Sequence, residues 1–233
     1  MSVQSHTDDI VVLDTGSTDG TIEIVSNYNV RLRHSSWEGF GMTKQKATAL
    51  AKYNWVLSID GDEIVDEVLQ HELSNLHLKH PTIVYKVRMK NFLGTRQLKW
   101  GQWGFDKRIK LFNRKVANWN NDLVHEKLTL ADYVQVKELN GSILHYTFKD
   151  VADMKSKLRH YAKLTAEKYF QQGKKAGIKR FLSPAFMFLR NYIFLLGFLD
   201  GADGLHCARA TAFYTFLKYH YLHKLWYLTE QTA

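Results

Sequence analysis

The sequence predicts an α/β fold, in which a mostly parallel sheet is followed by a helical region. Up to about residue 150, short apolar and β-branched runs alternate with segments of helical periodicity. Such alternation is typical of strand–helix–strand units, because parallel strands need a long crossover connection. Beyond that point the periodicity is helical almost throughout. We therefore predict a sheet domain over residues 1–150 and a helical extension over residues 151–233.

The elements predicted for the first domain come in strand–helix order. The strand predictions depend on apolar, β-branched runs, and the helix predictions depend on apolar residues three or four positions apart. The predicted strands are Ile10–Leu13, Val30–Arg33, Trp55–Ile59, Ile83–Met89, Arg108–Phe112 and His145–Phe148, and the predicted helices are Thr21–Tyr28, Thr43–Lys52 and Glu67–Leu76.

The composition favours anionic partners. Lys and Arg number 32 against 23 Asp and Glu, which gives a net charge of +9. Nucleic acid, an acidic membrane and phosphorylated substrates all fit that charge. No signature of a nucleic-acid-binding fold accompanies it, so we expect no nucleic-acid partner. The single cysteine, Cys207, excludes an internal disulfide and fits a reducing compartment.

Acidic residues follow two of the predicted strands. The run IVVLDTGSTDGT covers residues 10–21, and the run WVLSIDGDE, residues 55–63, ends in Asp60, Asp62 and Glu63. The carboxyl ends of parallel strands are where open α/β sheets bind ligands. Two aspartates spaced D-x-D suit Mg²⁺ or Mn²⁺ with positions left for phosphate oxygens. The sequence therefore predicts a divalent metal and an activated phosphate ester as substrate.

These runs resemble the family 2, inverting, GT-A-fold glycosyltransferases, in which one strand ends in D-x-[GS]-S-x-D-G-T and a later one carries D-x-D. The segment Trp37–Ala51, WEGFGMTKQKATALA, matches the narrower pattern W-x-G-[FY]-G-x-x-K. The later blocks VHEKL, Val124–Leu128, and FLDGADG, Phe198–Gly204, fit as well. Together the blocks look like the WaaE/KdtX-type lipopolysaccharide core glycosyltransferases. The resemblance covers nearly the whole chain.

The resemblance implies a site for a nucleotide-sugar donor. The implied donor-binding residues are Asp14, Ser17, Asp19, Lys44 and Asp60. The implied metal ligand is Asp62, with Asp60 beside it. Plainer interpretations remain for several of them. Asp14 and Ser17 also suit a turn, Asp19 suits the start of a helix, and Lys44 suits a solvated helix face.

The resemblance also implies a general base, because an acceptor hydroxyl must lose its proton as it attacks the anomeric carbon. Glu126 in the VHEKL block is our candidate, and its plainer interpretation is a surface pair with Lys127. The rivals are Asp106, just before the basic strand KRIKLF, and Asp122 in an Asn-rich loop. Two histidines, His125 and His145, are candidates to assist, although a lone histidine is more often structural.

The implied reaction is inverting transfer of a sugar, most simply glucose from UDP-glucose, to an inner-core heptose of lipopolysaccharide. The alternatives are transfer to another polysaccharide or lipid-linked acceptor, a weakly active or inactive truncated relative, and a scaffold that only binds. Basic residues in the implied acceptor half suit a phosphorylated heptose. They are Arg88, Lys90, Arg96, Lys99, Lys107, Arg108, Lys110 and Arg114.

The segment Phe181–Leu199 approaches the length of a membrane span, but it includes Pro184, Arg190 and Asn191. Lysines and an arginine precede it, and aromatic residues occur throughout. We therefore expect a helical hairpin in the interface of an anionic membrane, at the cytoplasmic face of the inner membrane. A buried helix pair is the alternative interpretation. A lipid-A-core-type acceptor would explain such an arrangement.

The resemblance gives one expectation about the start of the chain. In the family a further strand and helix precede the first acidic strand, whereas here only residues 1–7 precede Asp8. Strands and helices average about five and eleven residues, so seven residues are too few for both. We therefore expect an N-terminally shortened sheet, weak binding of UDP-sugar and poor turnover, with an intact form that begins further upstream.

Overall fold

The computed structural model describes residues 2–232, which form two compact units. One unit contains residues 2–88 and 107–143, and the other contains residues 89–106 and 144–232. The predicted division at residue 150 stays a prediction. The elements in chain order are β1 (Val11–Asp14), α1 (Thr21–Ser26), β2 (Arg31–His34), α2 (Phe40–Leu50), β3 (Trp55–Leu57), β4 (Glu63–Val65), α3 (Glu67–Asn75), β5 (Ile83–Leu93), β6 (Arg96–Gln97), α4 (Gly101–Gly104), β7 (Lys107–Asn113), β8 (Ala117–Trp119), β9 (Leu128–Leu130), β10 (Gln135–Phe148), α5 (Val151–Gln171), α6 (Lys179–Leu189) and α7 (Gly201–Thr232). A π-helical turn at Arg190–Phe194 and a 3₁₀ turn at Gly197–Asp200 join the last two helices.

The sheet is mixed, so the prediction of a mostly parallel sheet is wrong. The strands β1 and β2 pair in parallel, joined by α1 as the crossover. In the six-stranded sheet, with the order β3-β7-β5-β10-β4 and β6 beside β5, the strand β7 runs antiparallel to both β3 and β5. The strands β8 and β9 form a further antiparallel pair. The strand–helix rhythm indicated where strands lie, but it gave no direction for strands joined by short connections.

The first unit has a core of apolar side chains on these strands. Val84, Phe112, Ala117 and Trp119 are buried together, with Phe112 and Trp119 in an edge-to-face contact. Burial of large aromatic side chains supplies much of the stability of such a core. Val56 of β3, the strand that precedes Asp60 and Asp62, packs against this core.

Helix α3 packs closely on β10. The carboxylate of Asp66 accepts hydrogen bonds from Leu69 N–H, at 2.9 Å, and from Ser142 N–H, at 3.0 Å. It thereby caps the helix and joins it to the strand. A Cβ atom on Gly141 would lie 2.3 Å from the Leu69 backbone nitrogen, so only glycine permits this approach. These contacts fix the segment that follows Asp62.

In the second unit, the ends of β5 and β10 and the helices α5 and α7 enclose a separate core. Its buried members include Leu93, Phe148, Met154 and Cys207. Burial raises the pKa of the Cys207 thiol to about 12, and the carboxylates of Asp203 and Asp200 contribute to the shift to a smaller extent. The thiol is a packing group in this core rather than a reactive one.

Within the described part of the chain, no single helix is long and apolar enough to cross a membrane. Two consecutive helical segments, 179–194 and 197–229, are long and apolar enough when taken together. They meet at a bend of 71°.

Candidate active site

Asp14 ends β1 and forms the turn that follows it. Its carboxylate is buried and accepts hydrogen bonds from the N–H groups of Gly16, at 2.9 Å, and Ser17, at 3.1 Å. Hydrogen bonds from the Ser17 side chain and the Gly16 N–H lower the pKa of Asp14 to about 2. His34 Nδ1, at the end of β2, lies 3.4 Å from the same carboxylate. Asp14 and Ser17 thus form the turn that the sequence suggested, and their contact with a donor stays a prediction.

Asp19 lies at the beginning of α1. Its Oδ1 accepts a 2.6 Å hydrogen bond from the Thr21 hydroxyl and a longer one, 3.3 Å, from the Thr21 N–H. The N-cap residue itself is Gly20, whose φ of 79° is left-handed. A carboxylate beside the first turn favours the helix, because the first N–H groups of a helix lack intrahelical partners. Asp19 is exposed. Its contact with a nucleotide is a different role from this helix-start role, and it stays a prediction.

Lys44 joins two carboxylates that the sequence assigned to different tasks. Its Nζ lies 3.0 Å from both carboxylate oxygens of Asp60 and 2.7 Å from Glu126 Oε1. The lysine and Glu126 side chains are each 14% exposed. Burial opposes the charge on Lys44, but the Asp60 and Glu126 carboxylates outweigh it and raise the pKa of the lysine. The predicted donor and base residues are therefore neighbours around one cation.

The loop that carries Glu126 is fitted to the beginning of α2. Phe40 N–H donates to Leu123 O at 3.1 Å, and Gly41 N–H donates to Asp122 O at 3.0 Å. A Cβ atom on Gly41 would lie 2.0 Å from the Asn120 carbonyl oxygen. The W-x-G-F-G pattern therefore packs against residues 120–123, which lead directly into the VHEKL block. These two N–H groups bind loop carbonyls, so they do not form an open phosphate-binding helix end.

We expect Gly41→Ala to destabilise the protein by about 1–3 kcal/mol and to lower sugar transfer, because the added methyl group must displace the Asn120 carbonyl. Urea unfolding and a transfer assay would measure the two effects. Gly61→Ala is the matched stability control, since its added methyl group meets open space. Equal stability of the Gly41 and Gly61 variants would contradict this close fit.

A buried ion pair lies beneath Asp60. Lys110 Nζ is 2.7 Å and 2.6 Å from the two carboxylate oxygens of Glu63, and both side chains are almost fully enclosed. Glu63 also accepts the Asp60 N–H at 3.0 Å, and Lys110 lies 3.6 Å from the Asp60 carboxylate. Burial disfavours the ionised Asp60, yet Lys110 and Lys44 lower its pKa below the usual range. Glu63 is therefore a structural group that pairs with Lys110 and accepts the Asp60 N–H.

The two aspartates of the predicted metal site, Asp60 and Asp62, have different surroundings. Asp60 is held by lysines, whereas Asp62 lies exposed in the turn between β3 and β4. Among residues 2–232, no group of three or more His, Cys, Asp or Glu side chains could hold a metal ion. Mg²⁺ commonly uses one or two protein carboxylates and completes its coordination with substrate phosphates. Two carboxylates alone would leave most of the coordination of a metal to a diphosphate, and the metal itself stays a prediction.

The two rival candidates for the general base, Asp122 and Asp106, have different contacts from Glu126. Asp122 Oδ2 accepts a 2.7 Å hydrogen bond from Asn120 and belongs to the same loop as Glu126. Asp106 belongs to the second unit, where its carbonyl accepts the Met89 N–H at 2.9 Å. Glu126 forms a 2.7 Å ion pair with Lys44, a predicted donor residue. It contacts Lys44 rather than the neighbouring Lys127 that its plainer interpretation named.

The two histidines also differ. His145 is buried, with Nδ1 2.8 Å from Asn91 Oδ1, which is a structural contact within the second unit. His125 precedes Glu126 and has a φ of 57°. A left-handed conformation costs a non-glycine residue about 1–2 kcal/mol, so the surrounding loop must hold it. A left-handed backbone conformation, at His125, therefore lies next to the candidate base Glu126.

Several basic residues assigned to an acceptor phosphate have structural partners instead. Arg114 donates to the carbonyls of Thr48, Ala49 and Ala51 at the end of α2. Lys107 pairs with Glu138, and the buried Lys110 pairs with Glu63. Arg88 is exposed. The charge cluster that the sequence suggested is therefore only partly available to a substrate.

The FLDGADG block is structural in the second unit. Asp200 accepts the N–H groups of Lys99, at 3.0 Å, and Trp100, at 2.9 Å. Asp203 forms a two-point contact with Arg96, with both distances 2.6 Å. Such paired hydrogen bonds to arginine are strong and directional. The block thus orders residues 96–100, a role that its spacing alone did not reveal.

Comparison with known proteins identifies the family of this chain. The model for glycosyl transferase family 2 matches residues 2–194, so the chain belongs to that family. It is an enzyme of the hexosyltransferase type. Similar proteins include an uncharacterized glycosyltransferase of Rickettsia typhi, 26% identical over 93% of this chain and 78% of the relative. The lipopolysaccharide core biosynthesis glycosyltransferase LpsC of Rhizobium meliloti is 28% identical over 90% of this chain and 80% of its own length.

Among solved structures, the crystal structure of S. aureus TarS, residues 1–349, is similar with a TM-score of 0.41 and 15% identity. That match covers 96% of this chain and 83% of the TarS chain. The family match confirms the family that the sequence blocks suggested, with a nucleotide-sugar donor and an acceptor as its reaction partners. The site residues stay predictions.

Proposed function

We propose that this protein transfers a sugar, most simply glucose from UDP-glucose, to an inner-core heptose of lipopolysaccharide, with inversion at the anomeric carbon. The observation that carries the proposal is the contact of Lys44 with both Asp60 and Glu126. It brings a predicted donor residue and a predicted base to the same side chain. That proximity is what a single transfer step between two substrates requires.

In the proposed step, Glu126 accepts the proton of the acceptor hydroxyl. The hydroxyl oxygen forms a bond to the anomeric carbon as the bond from that carbon to the diphosphate oxygen breaks. Lys44 holds the Glu126 carboxylate in place through its 2.7 Å contact. The proton moves to Glu126, and the leaving electron pair stays on the nucleoside diphosphate. A fixed base of this kind contributes about 10²–10⁴-fold to a rate.

The donor would be bound at the ends of β1 and β3. Asp14, with its lowered pKa, is an anion that can accept hydrogen bonds from a nucleoside. Asp62 and Asp60 are the residues that would hold Mg²⁺ or Mn²⁺. When bound, such a metal would neutralise charge on the departing diphosphate. The charge of Lys44 supplies a second source of that stabilisation.

The acceptor assignment is supported by the similarity to LpsC, which is named as a lipopolysaccharide core biosynthesis glycosyltransferase. An acceptor of this kind is a lipid-linked saccharide, so we also propose work at the cytoplasmic face of the inner membrane, as a peripheral protein. Comparing the mass of the core oligosaccharide before and after gene deletion tests the assignment. Loss of one hexose, restored by the intact gene, is the expected result. An unchanged core would exclude this acceptor.

We expect Asp62→Ala to abolish most donor-dependent transfer while the protein remains folded, because the exposed Asp62 carboxylate is replaced by a methyl group. Transfer measured with added Mg²⁺ or Mn²⁺, together with circular dichroism, would check this. Glu67→Ala is a control for loss of a nearby exposed carboxylate. Undiminished transfer in the Asp62 variant, or full activity in excess chelator, would show that the metal assignment is wrong.

A further inference from the structure

Helix α6 in the second unit has an apolar face that the rest of that unit leaves uncovered. In the part of the chain that the structure describes, α6 has no buried residue. Phe181 and Leu182 are each 61% exposed, Phe186 is 57% exposed and Leu189 is 48% exposed. Ile178, just before the helix, is 69% exposed. Because these positions recur every three or four residues, they form one stripe along the helix.

The exposed stripe continues beyond the helix. Ile193 and Phe194 in the π-helical turn are 45% and 70% exposed, and Phe198 and Leu199 in the 3₁₀ turn are 44% and 52% exposed. Contiguous apolar surface on this scale marks an interaction site in most proteins, since scattered exposed residues do not line up in this way.

The segment of the chain that carries the stripe has charges of one sign. Residues 168–199 contain six basic residues and no Asp or Glu. The six are Lys168, Lys174, Lys175, Lys179, Arg180 and Arg190. Three of these cations lie over aromatic rings: Lys174 is 4.4 Å from the Tyr169 ring, Lys175 is 5.4 Å from the Trp226 ring, and Arg180 is 4.6 Å from the Phe181 ring. Contacts with rings leave the positive charge uncompensated, unlike contacts with carboxylates.

The length of α6 decides how it could meet a lipid bilayer. Its eleven residues make about 16 Å of helix, roughly half of a hydrocarbon core about 30 Å thick. Pro184 lies within the helix, and Arg190 follows it directly. A short helix with an apolar face and basic residues at both ends suits the plane of the membrane interface, where lysine and arginine meet lipid phosphates.

We propose that α6, with the turns that follow it, is the surface by which this protein docks on a membrane of anionic lipids. The apolar stripe from Ile178 to Leu199 enters the interface, and the basic residues bind lipid phosphates. The setting depends on the proposed function, which supplies a lipid-linked acceptor, but the docking itself needs neither donor nor acceptor. The stripe and the charge are separate observations that favour the same partner.

A second copy of this chain is the competing occupant. Two copies joined through α6 would bring two sets of six like charges together, which disfavours that contact. An anionic bilayer instead complements the charge and covers the apolar stripe. The two occupants predict different results in the absence of lipid.

The experiment measures binding of the full chain to vesicles by flotation, with neither UDP-sugar nor acceptor present. Vesicles of phosphatidylcholine with about a third phosphatidylglycerol are compared with pure phosphatidylcholine. The apolar variant is Phe181→Ser with Phe186→Ser, and its control is Val68→Ser with Tyr133→Ser, which are similarly exposed in the other unit. The charge variant is Lys175→Gln with Lys179→Gln, and its control is Lys79→Gln with Lys137→Gln.

We expect the apolar variant to lower binding to the anionic vesicles by about a hundredfold. The charge variant should lower it by about twentyfold, and high salt should imitate that loss. Both control variants should bind as the unchanged protein does. Transfer to a lipid-free core oligosaccharide should persist in the apolar variant, so a failure of the proposed function would appear as no transfer by the unchanged protein.

Three outcomes would overturn the docking proposal. The first is equal vesicle binding by the apolar variant and its control. The second is equal binding to the anionic and the neutral vesicles. The third is a dimer in lipid-free sedimentation that the apolar variant dissociates, which would assign α6 to a contact between copies.

Discussion

Replacing Glu126 by glutamine is expected to slow sugar transfer by about a hundredfold or more, with little change in donor binding. The amide has nearly the same shape and still accepts a hydrogen bond from Lys44, which contacts Glu126 Oε1 at 2.7 Å. It cannot take the proton of an acceptor hydroxyl. The loss should therefore appear in kcat, measured with saturating donor and acceptor, while calorimetric titration of UDP remains nearly unchanged.

The control for this prediction is Asp106→Asn, made and measured in the same way. Asp106 is the rival carboxylate, and in the structure it belongs to the second unit. Asp122→Asn adds a control from the same loop as Glu126. If the Asp106 change is crippling and the Glu126 change is silent, the base has been assigned to the wrong carboxylate.

Replacing Lys110 by methionine is expected to destabilise the folded protein by about 3–5 kcal/mol. The change removes the ammonium group that lies 2.6–2.7 Å from the Glu63 carboxylate. Glu63 would then carry a buried charge without its partner, because its side chain is fully enclosed. Urea unfolding followed by circular dichroism measures the loss.

The double variant Lys110→Met with Glu63→Gln separates the cost of an unpaired charge from the loss of packing. Glutamine carries no charge and can still accept the Asp60 N–H, which Glu63 accepts at 3.0 Å. We expect the double variant to recover most of the stability. If it is as unstable as Lys110→Met alone, packing rather than the buried charge explains the loss.

Sequence reasoning located most elements but misjudged how the strands pair. The predicted strand at Trp55–Ile59 and the predicted helix at Glu67–Leu76 differ by one or two residues from β3 and α3. Periodicity reports which face of a segment is buried, and that face is the same whichever direction a neighbouring strand runs. The antiparallel pairing of β5 with β7 depends on contacts between distant residues, which no local pattern contains.

The site was predicted in its parts rather than in its assembly. Motif resemblance named Lys44, Asp60 and Glu126, but no pattern stated that one lysine contacts both acids. The pairing of Glu63 with Lys110, 47 positions apart, was missed for the same physical reason. The sequence predicts a phosphate-binding role for Lys110, because a charged residue in a strand gives no local sign of a buried partner.

The fit between the beginning of α2 and the Asn120–Leu123 loop has a practical consequence for engineering. The backbone of Gly41 leaves no room for a side chain beside Asn120 O, and two backbone hydrogen bonds join the segments. A chimera that takes only this loop from a relative would place the loop carbonyls where they no longer match the start of α2. Exchanges of this loop between relatives should therefore transplant residues 37–44 and 120–126 together.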